Sequence, residues 1–318
     1  MIYLETGSFD SAYNLAFEEY CLDEFPIGDG CVILWINDPC VVVGRFQNSW
    51  DEANVRYIEE NRIPLRRRIT GGGAVYHDRG NLNFSVITAG ERFDFSPAAV
   101  VIKALNDIGV PASMNGRNDI TVDGVKVSGV AQCLRNGRSL CHGTLLFDVS
   151  IDDMARALST GASKFARSGV GSRQARVRNI RGLLPQAEDI FAFRQMLREA
   201  LNLTDSPSEP DCARINSLKE QKYDSWQWHW GKTPQFTEKK TKRFAWGAVA
   251  ASLDIADGVI GKCRIEGDFF GSGCEILERG LENVRYRQED IIKVLDELHA
   301  HEFFWGASKD DIRQIFTQ

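Results

Sequence analysis

The sequence lacks most of the patterns that would assign it to a chemical class at once. None of its eight cysteines forms a C-x-x-C pair, so neither a zinc ligand set nor a disulfide framework is predicted. No apolar run approaches the ~18–20 residues that a membrane-spanning helix needs. The first residues carry no basic segment typical of a secretory signal. We therefore expect a protein of a reducing, cytoplasmic compartment, without a membrane partner.

Three nucleotide and nucleophile motifs are also missing. The sequence has no G-x-x-x-x-G-K-[ST] motif, no dinucleotide fingerprint after a strand, and no Ser or Cys in a nucleophile elbow. P-loop NTPases, Rossmann dehydrogenases and elbow-type hydrolases are thereby disfavoured. The 38 basic residues are outnumbered by 44 acidic ones, and a net charge of −6 argues against general nucleic-acid binding.

The composition of the sequence is that of an ordinary globular protein, and one segment is unusual. Its 318 residues, 43% of them hydrophobic, suffice for one large domain and a smaller one. The unusual segment, residues 66–78, reads RRRITGGGAVYHD. Glycines let the backbone lie against a ligand, and successive N–H groups beside guanidinium groups suit a carboxylate or phosphate. A tight turn beside a solvated basic edge is the competing interpretation.

A second informative stretch is a predicted hairpin. Asp123-Gly124 lies between two alternating runs, which is a strong signal for a two-residue turn. Asn118-Asp119 precedes this hairpin, Lys126 follows its turn, and His142 starts a later strand. Alone, the lysine is more typical of a solvated position and the histidine of a structural one. A substrate with an acid group, an activating phosphate and a metal ion would use all of them.

Local patterns predict several elements. Asp10 or Ser11 caps a helix that reaches about Asp23, and Ser49 opens a capping box with Val55 and Ile58 on one helical face. The last 80 or so residues read as a compact α+β module. That module begins with a hairpin around Asp257-Gly258 and continues with three helices, expected near Gly273–Gly280, Asp290–Ala300 and Lys309–Phe316.

With these motifs in order, the sequence resembles the lipoate–protein ligases over essentially its whole length. The matching motifs are RRxTGGGAVYHDxGN at 67–81, NDI at 118–120, KVSG at 126–129, HGTLL at 142–146, VGRFQN at 43–48 and WxWxxGKxPxF at 226–236. The resemblance implies an α+β fold: a biotinyl/lipoyl-ligase-like catalytic domain with a central mixed β-sheet, at 1–237, and a small α+β accessory domain at 243–318.

The resemblance also implies a two-step reaction. Lipoate's carboxylate attacks the α-phosphate of ATP to give lipoyl-AMP, and the ε-amine of an acceptor lysine then displaces AMP. The implied acceptors are lipoyl domains of 2-oxoacid dehydrogenase complexes or the glycine cleavage H protein. The sequence does not indicate which acceptor is used, whether octanoate is also a substrate, or the oligomeric state.

By the same resemblance, each motif acquires a role. Lys126 is the catalytic residue and contacts the carboxyl oxygen and α-phosphate. Arg68, and with it Arg67, offsets phosphate charge. Asn118 and Asp119 engage Mg²⁺ or the adenylate, with Asp119 the metal ligand, and His142 is assigned to the same binding site. The carboxylate, phosphate and adenosine are expected on the loop residues, namely Gly71, Gly72, Gly73, Ala74, Val75 and Tyr76.

Two features leave alternatives open. Relatives commonly carry Lys-Ser-Val-Arg where this chain has Gly171-Ser172-Arg173-Gln174, so the role of the 171–181 loop is undetermined. Related acyltransferases on this fold pass the acyl group through a cysteine thioester, and Cys133 and Cys141 are the only cysteines near Lys126 and His142. A non-catalytic lipoate-binding protein is the third interpretation.

Overall fold

The computed structural model describes residues 1–47, 49–90, 92–93, 95–116, 118–158, 177–230, 238–256, 259–286 and 288–317. Its strands are, in chain order, β1 (Ile2–Glu5), β2 (Cys31–Ile36), β3 (Cys40–Val43), β4 (Leu65–Arg67), β5 (Val75–His77), β6 (Asn81–Ala89), β7 (Ala112–Asn115), β8 (Asp119–Val122), β9 (Val125–Arg135), β10 (Arg138–Leu146), β11 (Thr204–Asp205), β12 (Glu238–Phe244), β13 (Gly247–Ala256) and β14 (Val259–Asp268).

The described α-helices lie between and after these strands. They are α1 (Ser11–Asp23), α2 (Ser49–Glu52), α3 (Val55–Glu60), α4 (Ala99–Asp107), α5 (Ile151–Ala157), α6 (Ile190–Leu201), α7 (Cys212–Leu218), α8 (Trp226–His229), α9 (Cys274–Leu281), α10 (Gln288–Glu297) and α11 (Lys309–Thr317). A π-helical turn, Lys219–Tyr223, links α7 to α8. In the described part of the chain, no helix is both long and apolar enough to cross a membrane.

The largest sheet has eight strands in the order β11-β1-β2-β6-β10-β9-β8-β7. β1 runs parallel to β2 and β11, whereas β2, β6, β10 and β9 pair antiparallel. The predicted central mixed sheet is therefore confirmed. Every residue of β2 is buried, because its β-branched and apolar side chains are covered on both faces of the sheet.

A three-stranded sheet carries the glycine segment. Its order is β4-β3-β5, with β3 parallel to β4 and antiparallel to β5. The segment that joins β4 to β5 is the arginine–glycine run. Because both of its ends are held against the same strand, this run must fold back sharply within a few residues.

Helix α1 is enclosed between the large sheet and the α7 to π-helix region. Asp10 caps it by accepting from the N–H of Ala12 at 2.9 Å, as predicted. The helix buries Glu18 and Glu19 as well as apolar residues. Buried carboxylates need partners, so α1 contributes a polar layer to the interior of the protein.

The helix predicted from Ser49 is interrupted, and that prediction was wrong in its extent. α2 ends at Glu52, and α3 starts afresh with Asn54 as its cap, whose side chain accepts from the N–H of Tyr57 at 3.2 Å. Asn54 donates its own N–H to the carbonyl of Ala157 at 2.9 Å. This tertiary hydrogen bond takes the donor that a continuous helix would have used.

The C-terminal module is an antiparallel sheet, β12-β13-β14, covered by α9, α10 and α11. These helices lie within a few residues of their predicted positions, whereas the predicted turn Asp257-Gly258 lies outside the described residues. The module has its own apolar cluster, which includes Phe46 from the N-terminal part. Phe270, conversely, belongs to the cluster of the large sheet and contacts the Phe95 ring edge-to-face at 5.0 Å.

Candidate active site

The three glycines form a loop that touches the end of β3 backbone to backbone. Gly72 has φ +88°, in the left-handed region that side chains disfavour. A Cβ on Gly44 would lie 2.1 Å from the Gly72 carbonyl oxygen. Glycine is therefore required at Gly72 for its conformation and at Gly44 for the close approach.

Arg68 holds this loop from behind. Its Nη2 donates to the carbonyls of Gly71 at 2.7 Å and Gly73 at 2.8 Å, and its Nε donates to the Thr70 hydroxyl at 3.0 Å. Nη1 donates to the Val42 carbonyl at 3.1 Å. With the loop carbonyls turned toward Arg68, the guanidinium fixes the loop's shape. Burial lowers the pKa of Arg68 to about 10, so it stays charged at neutral pH.

Arg67 points elsewhere, into a buried shell of carbonyl groups. Its Nη1 donates to the Gln47 carbonyl at 2.7 Å and the Gly44 carbonyl at 3.0 Å. Its Nη2 donates to the Ser49 hydroxyl at 2.7 Å and the His229 carbonyl at 3.0 Å. The side chain is 1% exposed. In this arrangement Arg67 ties residues 44–49 and α8 together, away from the face of the loop.

The predicted hairpin forms and places Lys126 beside Asp119. The turn residues Asp123 and Gly124 have φ +51° and +76°, as a two-residue hairpin of the predicted kind requires. Lys126 Nζ lies 2.7 Å from Asp119 Oδ1, and the two side chains are 35% and 39% exposed. The structure thus brings together a cation and a carboxylate that both remain accessible from solvent.

Other predicted site residues lie around this pair and the loop. Asn118 donates its side-chain N–H to the Val130 carbonyl at 2.9 Å, which holds the start of β8 against β9. Tyr76 is buried on β5, and Ala74 and Val75 are half-buried at the end of the loop. Burial raises the pKa of the Tyr76 hydroxyl well above its usual range, so it stays protonated.

His142 connects the loop to the buried carboxylate of α1. Its Nε2 lies 2.8 Å from the Thr70 hydroxyl and its Nδ1 lies 2.7 Å from Glu18 Oε1. Ser85 also donates to Glu18, and the Trp35 indole N–H donates to Ser85 at 2.9 Å. A continuous buried chain of hydrogen bonds therefore runs from the glycine loop into the core.

The C-terminal module covers one side of the loop. The N–H of Gly72 donates to the Phe269 carbonyl at 3.0 Å, and the Phe269 ring stacks on Phe46 at 4.7 Å. The carboxylate of Asp268 lies 3.7 Å from where a Cβ of Gly73 would be. Arg45 forms an ion pair with Glu275 across the same interface.

Sequence reasoning missed Glu18, Asp268 and Phe269 as neighbours of the loop. None of them has a local signal, since Glu18 and Phe269 come from segments far apart in the chain. The 171–174 departure and residues Gly231, Lys232, Pro234 and Phe236 of the tryptophan motif lie outside the described residues. Within the described ranges, no group of three or more His, Cys, Asp or Glu is placed to hold a metal ion.

The mixed sheet, the glycine loop and the C-terminal module match the architecture predicted for a protein of the lipoyl-ligase type. Residues 10–202 match the family model "Lipoyl protein ligase A/B catalytic domain", and residues 233–316 match "Bacterial lipoate protein ligase C-terminus". The chain belongs to the lipoate–protein ligase family.

Curated relatives agree over the full length. The chain is 36% identical to lipoate-protein ligase LplJ of Bacillus subtilis, over 99% of each chain. It is 33% identical to lipoate–protein ligase 1 of Staphylococcus aureus, over 97% of each. These matches extend through both family models, so the relatives share the accessory module as well as the catalytic one.

Solved structures give the same result for the fold. LipL1 of P. falciparum, in complex with lipoate, superposes with a TM-score of 0.79 at 22% identity, covering 98% of both chains. The ligase of a bipartite system from Thermoplasma acidophilum, described with its E2 lipoyl domain, gives 0.63 at 28% identity, over 74% of this chain and 98% of that one. Lipoate-protein ligase A bound with ATP gives 0.59 at 27% identity, over 72% and 96%.

Proposed function

We propose that this protein joins lipoate to acceptor proteins in two steps, through lipoyl-AMP. The observation that carries the proposal is the presence of both a glycine loop braced by Arg68 and an accessible Lys126 beside Asp119 on the β8–β9 hairpin. Similarity to ligases described with lipoate and with ATP supports the choice of both substrates. Neither the glycine loop nor Lys126 forms a covalent bond to the substrate, so the protein acts by positioning and by charge stabilisation.

In the first step, a carboxylate oxygen of lipoate attacks the α-phosphorus of ATP. The bond from that phosphorus to the oxygen bridging to the β-phosphate breaks, and pyrophosphate leaves with the electron pair. Backbone N–H groups of Gly71–Gly73 and the ammonium of Lys126 stabilise the charge that moves onto the phosphate oxygens. Ala74, Val75 and Tyr76 complete the adenosine side of the site.

Arg68 supports this step by holding the loop in shape and by adding positive charge. Its donors hold the carbonyls of Gly71 and Gly73, which keeps those carbonyls away from a bound anion, and the Gly72 N–H becomes available when a ligand displaces the Phe269 carbonyl from it. Its charge adds to the positive potential behind the loop. Arg67, satisfied by carbonyl groups in the interior, supports the same segment through residues 44–49. His142 steadies Thr70 at the start of the loop.

A Mg²⁺ ion fits the chemistry of the Asn118-Asp119 corner. Magnesium is usually held by one or two carboxylates together with substrate phosphates, rather than by an all-protein cage. Asp119 offers one accessible carboxylate, already beside a cation, at the start of β8. When bound with the nucleotide, the ion would supply charge neutralisation of the phosphates, and Asp119 would be its protein ligand with Asn118 beside it.

In the second step, the ε-amine of an acceptor lysine attacks the acyl carbon of lipoyl-AMP. The acyl–oxygen bond breaks, AMP leaves with the electron pair, and the amine loses a proton to form the amide. We infer that the acceptor is a lipoyl domain of a 2-oxoacid dehydrogenase complex or the glycine cleavage H protein. The archaeal relative described with its E2 lipoyl domain supports the first of these.

The buried state of the two nearby cysteines argues against a thioester route. Cys133 is 7% exposed, Cys141 is fully buried, and burial raises the pKa of the Cys133 thiol to about 12. The thiolate is the nucleophilic form, so such a thiol is a poor acyl acceptor at neutral pH.

The decisive experiment is ATP–pyrophosphate exchange with and without lipoate, in the absence of acceptor. We expect exchange that depends on lipoate and on Mg²⁺. Acyl transfer from an acyl-carrier protein without release of AMP would contradict the proposal and favour the cysteine-dependent alternative.

A further inference from the structure

Strand β9 has one edge that its partner β10 covers only in part. Within the described ranges, β10 pairs with residues 130–135 of β9 and does not reach the stretch with Lys126. The chain near Arg178 takes this place. Val177 pairs with Lys126 in a parallel bridge, and the N–H of Arg178 donates to the Lys126 carbonyl at 3.0 Å. Because β8 lies along the other edge, the backbone of Lys126 is held from both sides.

The side chain of Arg178 adds a second attachment, at the tip of the hairpin. Its Nη2 donates to Asp123 Oδ2 at 2.9 Å. Asp123 is the first residue of the turn, with φ +51°, and its side chain is 70% exposed. Arg178 therefore bonds through its backbone to Lys126 and through its guanidinium to the turn that precedes Lys126.

The segment that follows Arg178 is fixed to the body of the sheet. The side-chain amide of Asn179 accepts from the Val149 N–H at 3.1 Å and donates to the Val149 carbonyl at 3.0 Å. The N–H of Ile180 donates to the carbonyl of Leu146, the last residue of β10, at 2.7 Å. Arg178 is thereby anchored on its C-terminal side, and it connects the hairpin to the end of β10.

Lys126 depends on this support because its pairing with β8 is irregular. The register between β8 and β9 shifts between Ile120 and Thr121, and Thr121 is the residue that pairs with Lys126. A bulge of this kind disrupts the ladder locally and increases the twist of the strand. The ammonium of Lys126 has to stay beside Asp119, at 2.7 Å, and next to Gly129. A strand held along one irregular edge alone would place that ammonium less precisely.

We propose that Arg178 is a positioning residue for Lys126 in the formation of the adenylate. This inference rests on the proposed function, in which the Lys126 ammonium stabilises charge on the phosphate. Arg178 fastens both the hairpin turn and the Lys126 carbonyl to a fixed part of the chain, so the ammonium reaches the reacting atoms in one defined place. A small misplacement of such a group lowers the rate, because charge stabilisation depends on preorganisation.

Direct contact of Arg178 with the nucleotide is the rival role. Its Nε is buried and has no hydrogen-bond partner among the residues that the structure describes, so this donor is available to a phosphate oxygen. The two roles differ in what they require of Asp123. If Arg178 acts through the hairpin, its partner Asp123 is needed as well, whereas a direct contact with the nucleotide does not need that carboxylate.

A double-mutant cycle separates the two roles. Arg178→Met removes the guanidinium and keeps an unbranched side chain. Asp123→Asn removes the charge and suits the turn, because Asn-Gly is a preferred sequence for a two-residue hairpin turn with positive φ. The measurements are kcat and the KM for ATP in lipoyl-AMP formation without acceptor, and the melting temperature, on the parent, both single variants and the double variant. Arg181→Met is the matched control, since Arg181 lies on the same segment but pairs with Asp148 instead of the hairpin.

We expect kcat to fall about fivefold in Arg178→Met and about threefold in Asp123→Asn, because an exposed ion pair contributes modestly. The double variant should be no slower than Arg178→Met. The KM for ATP should stay within about twofold of the parent value, and melting temperatures should change little. Arg181→Met should keep the parent rate. The gap between the parent and Arg178→Met should narrow in high salt, which screens exposed charges.

An unchanged kcat in Arg178→Met overturns the inference. A raised KM for ATP in Arg178→Met, together with a normal Asp123→Asn, overturns it in favour of a nucleotide contact. Additive losses in the double variant, or an equal loss in Arg181→Met, would show that the Arg178–Asp123 pair has no specific role. A parent enzyme that forms no lipoyl-AMP refutes the proposed function instead.

Discussion

Gly72 donates its backbone N–H to the carbonyl oxygen of Phe269 at 3.0 Å, so a residue of the C-terminal module occupies one donor of the glycine loop. That carbonyl also lies 2.2 Å from where a Cβ of Gly71 would be. The loop and the module therefore meet without room for a side chain. A ligand that takes the Gly72 N–H must displace the Phe269 carbonyl from it.

This contact predicts different outcomes for two neighbouring glycines. Gly71→Ala forces its methyl group against the Phe269 carbonyl and should destabilise the protein by about 1–3 kcal/mol. Gly73→Ala is the matched control, because its Cβ would lie at an ordinary 3.7 Å from Asp268. Urea denaturation of both variants tests this, and equal stability would show that the interface is loose.

Arg67 and a surface arginine should differ sharply in what they contribute to stability. Arg67→Lys keeps the charge but cannot reach the carbonyls of Gly44 and Gln47 and the Ser49 hydroxyl together, so about 3 kcal/mol or more should be lost. Arg56→Lys, whose side chain is 87% exposed, should show no measurable change. Thermal denaturation compares them, and a stable, inactive Arg67→Lys would instead assign this arginine to the ligand.

Lys126 should be needed for rate rather than for stability. Its ammonium is compact and lies beside Gly129, where a Cβ would be 3.2 Å from Nζ, whereas a guanidinium keeps the charge but has a different size and shape. Lys126→Arg should therefore fail almost as badly as Lys126→Ala, with lipoyl-AMP formation reduced roughly 10²–10³-fold. Because the side chain is 35% exposed, melting temperatures should change little. Normal adenylation in Lys126→Ala would remove this residue from the mechanism.

The double variant Cys133→Ala, Cys141→Ala should ligate lipoate within a few-fold of the parent. The adenylate route uses no thiol, and both side chains are buried. Some stability should be lost, because each change leaves a small cavity. Ligation is followed by mass spectrometry of an acceptor domain. A folded double variant without activity would revive the thioester alternative.

Glu19 should make the stability of the folded protein depend on pH in the acid range. Burial raises its pKa, but Lys222, Tyr223 and Arg135, all within 2.8 Å, outweigh burial and bring it below the ordinary 4.5. A carboxylate whose pKa is lower in the folded than in the unfolded state stabilises the folded protein at pH values above its unfolded-state pKa. This stabilisation is lost as the pH falls below about 4.5.

Glu19→Gln is the variant that tests this dependence. At neutral pH it should be less stable than the parent, and the gap should narrow as the pH falls below about 4.5. Chemical denaturation at a series of pH values measures the gap. A constant difference across the series would mean that the charge of Glu19 contributes nothing.

Much of the site follows from local sequence. The cap at Asp10, the turn at Asp123-Gly124 and the glycine loop depend on a few adjacent residues, because backbone conformation there is set by side-chain oxygens and by the absence of Cβ atoms. These features could be predicted, and the order of the motifs identified the family.

Only the tertiary structure distinguished Arg67 from Arg68, although the two are adjacent. Arg67 faces carbonyls of residues 44–49 and of α8, whereas Arg68 faces the loop. The alternation of side chains along a strand predicts that the two point in opposite directions, but not which groups each of them meets. The contact of Phe269 with Gly72 and that of Glu18 with His142 join distant segments of the chain. Those contacts exist only once the sheets and the C-terminal module have packed, and no neighbouring residue in the sequence encodes them.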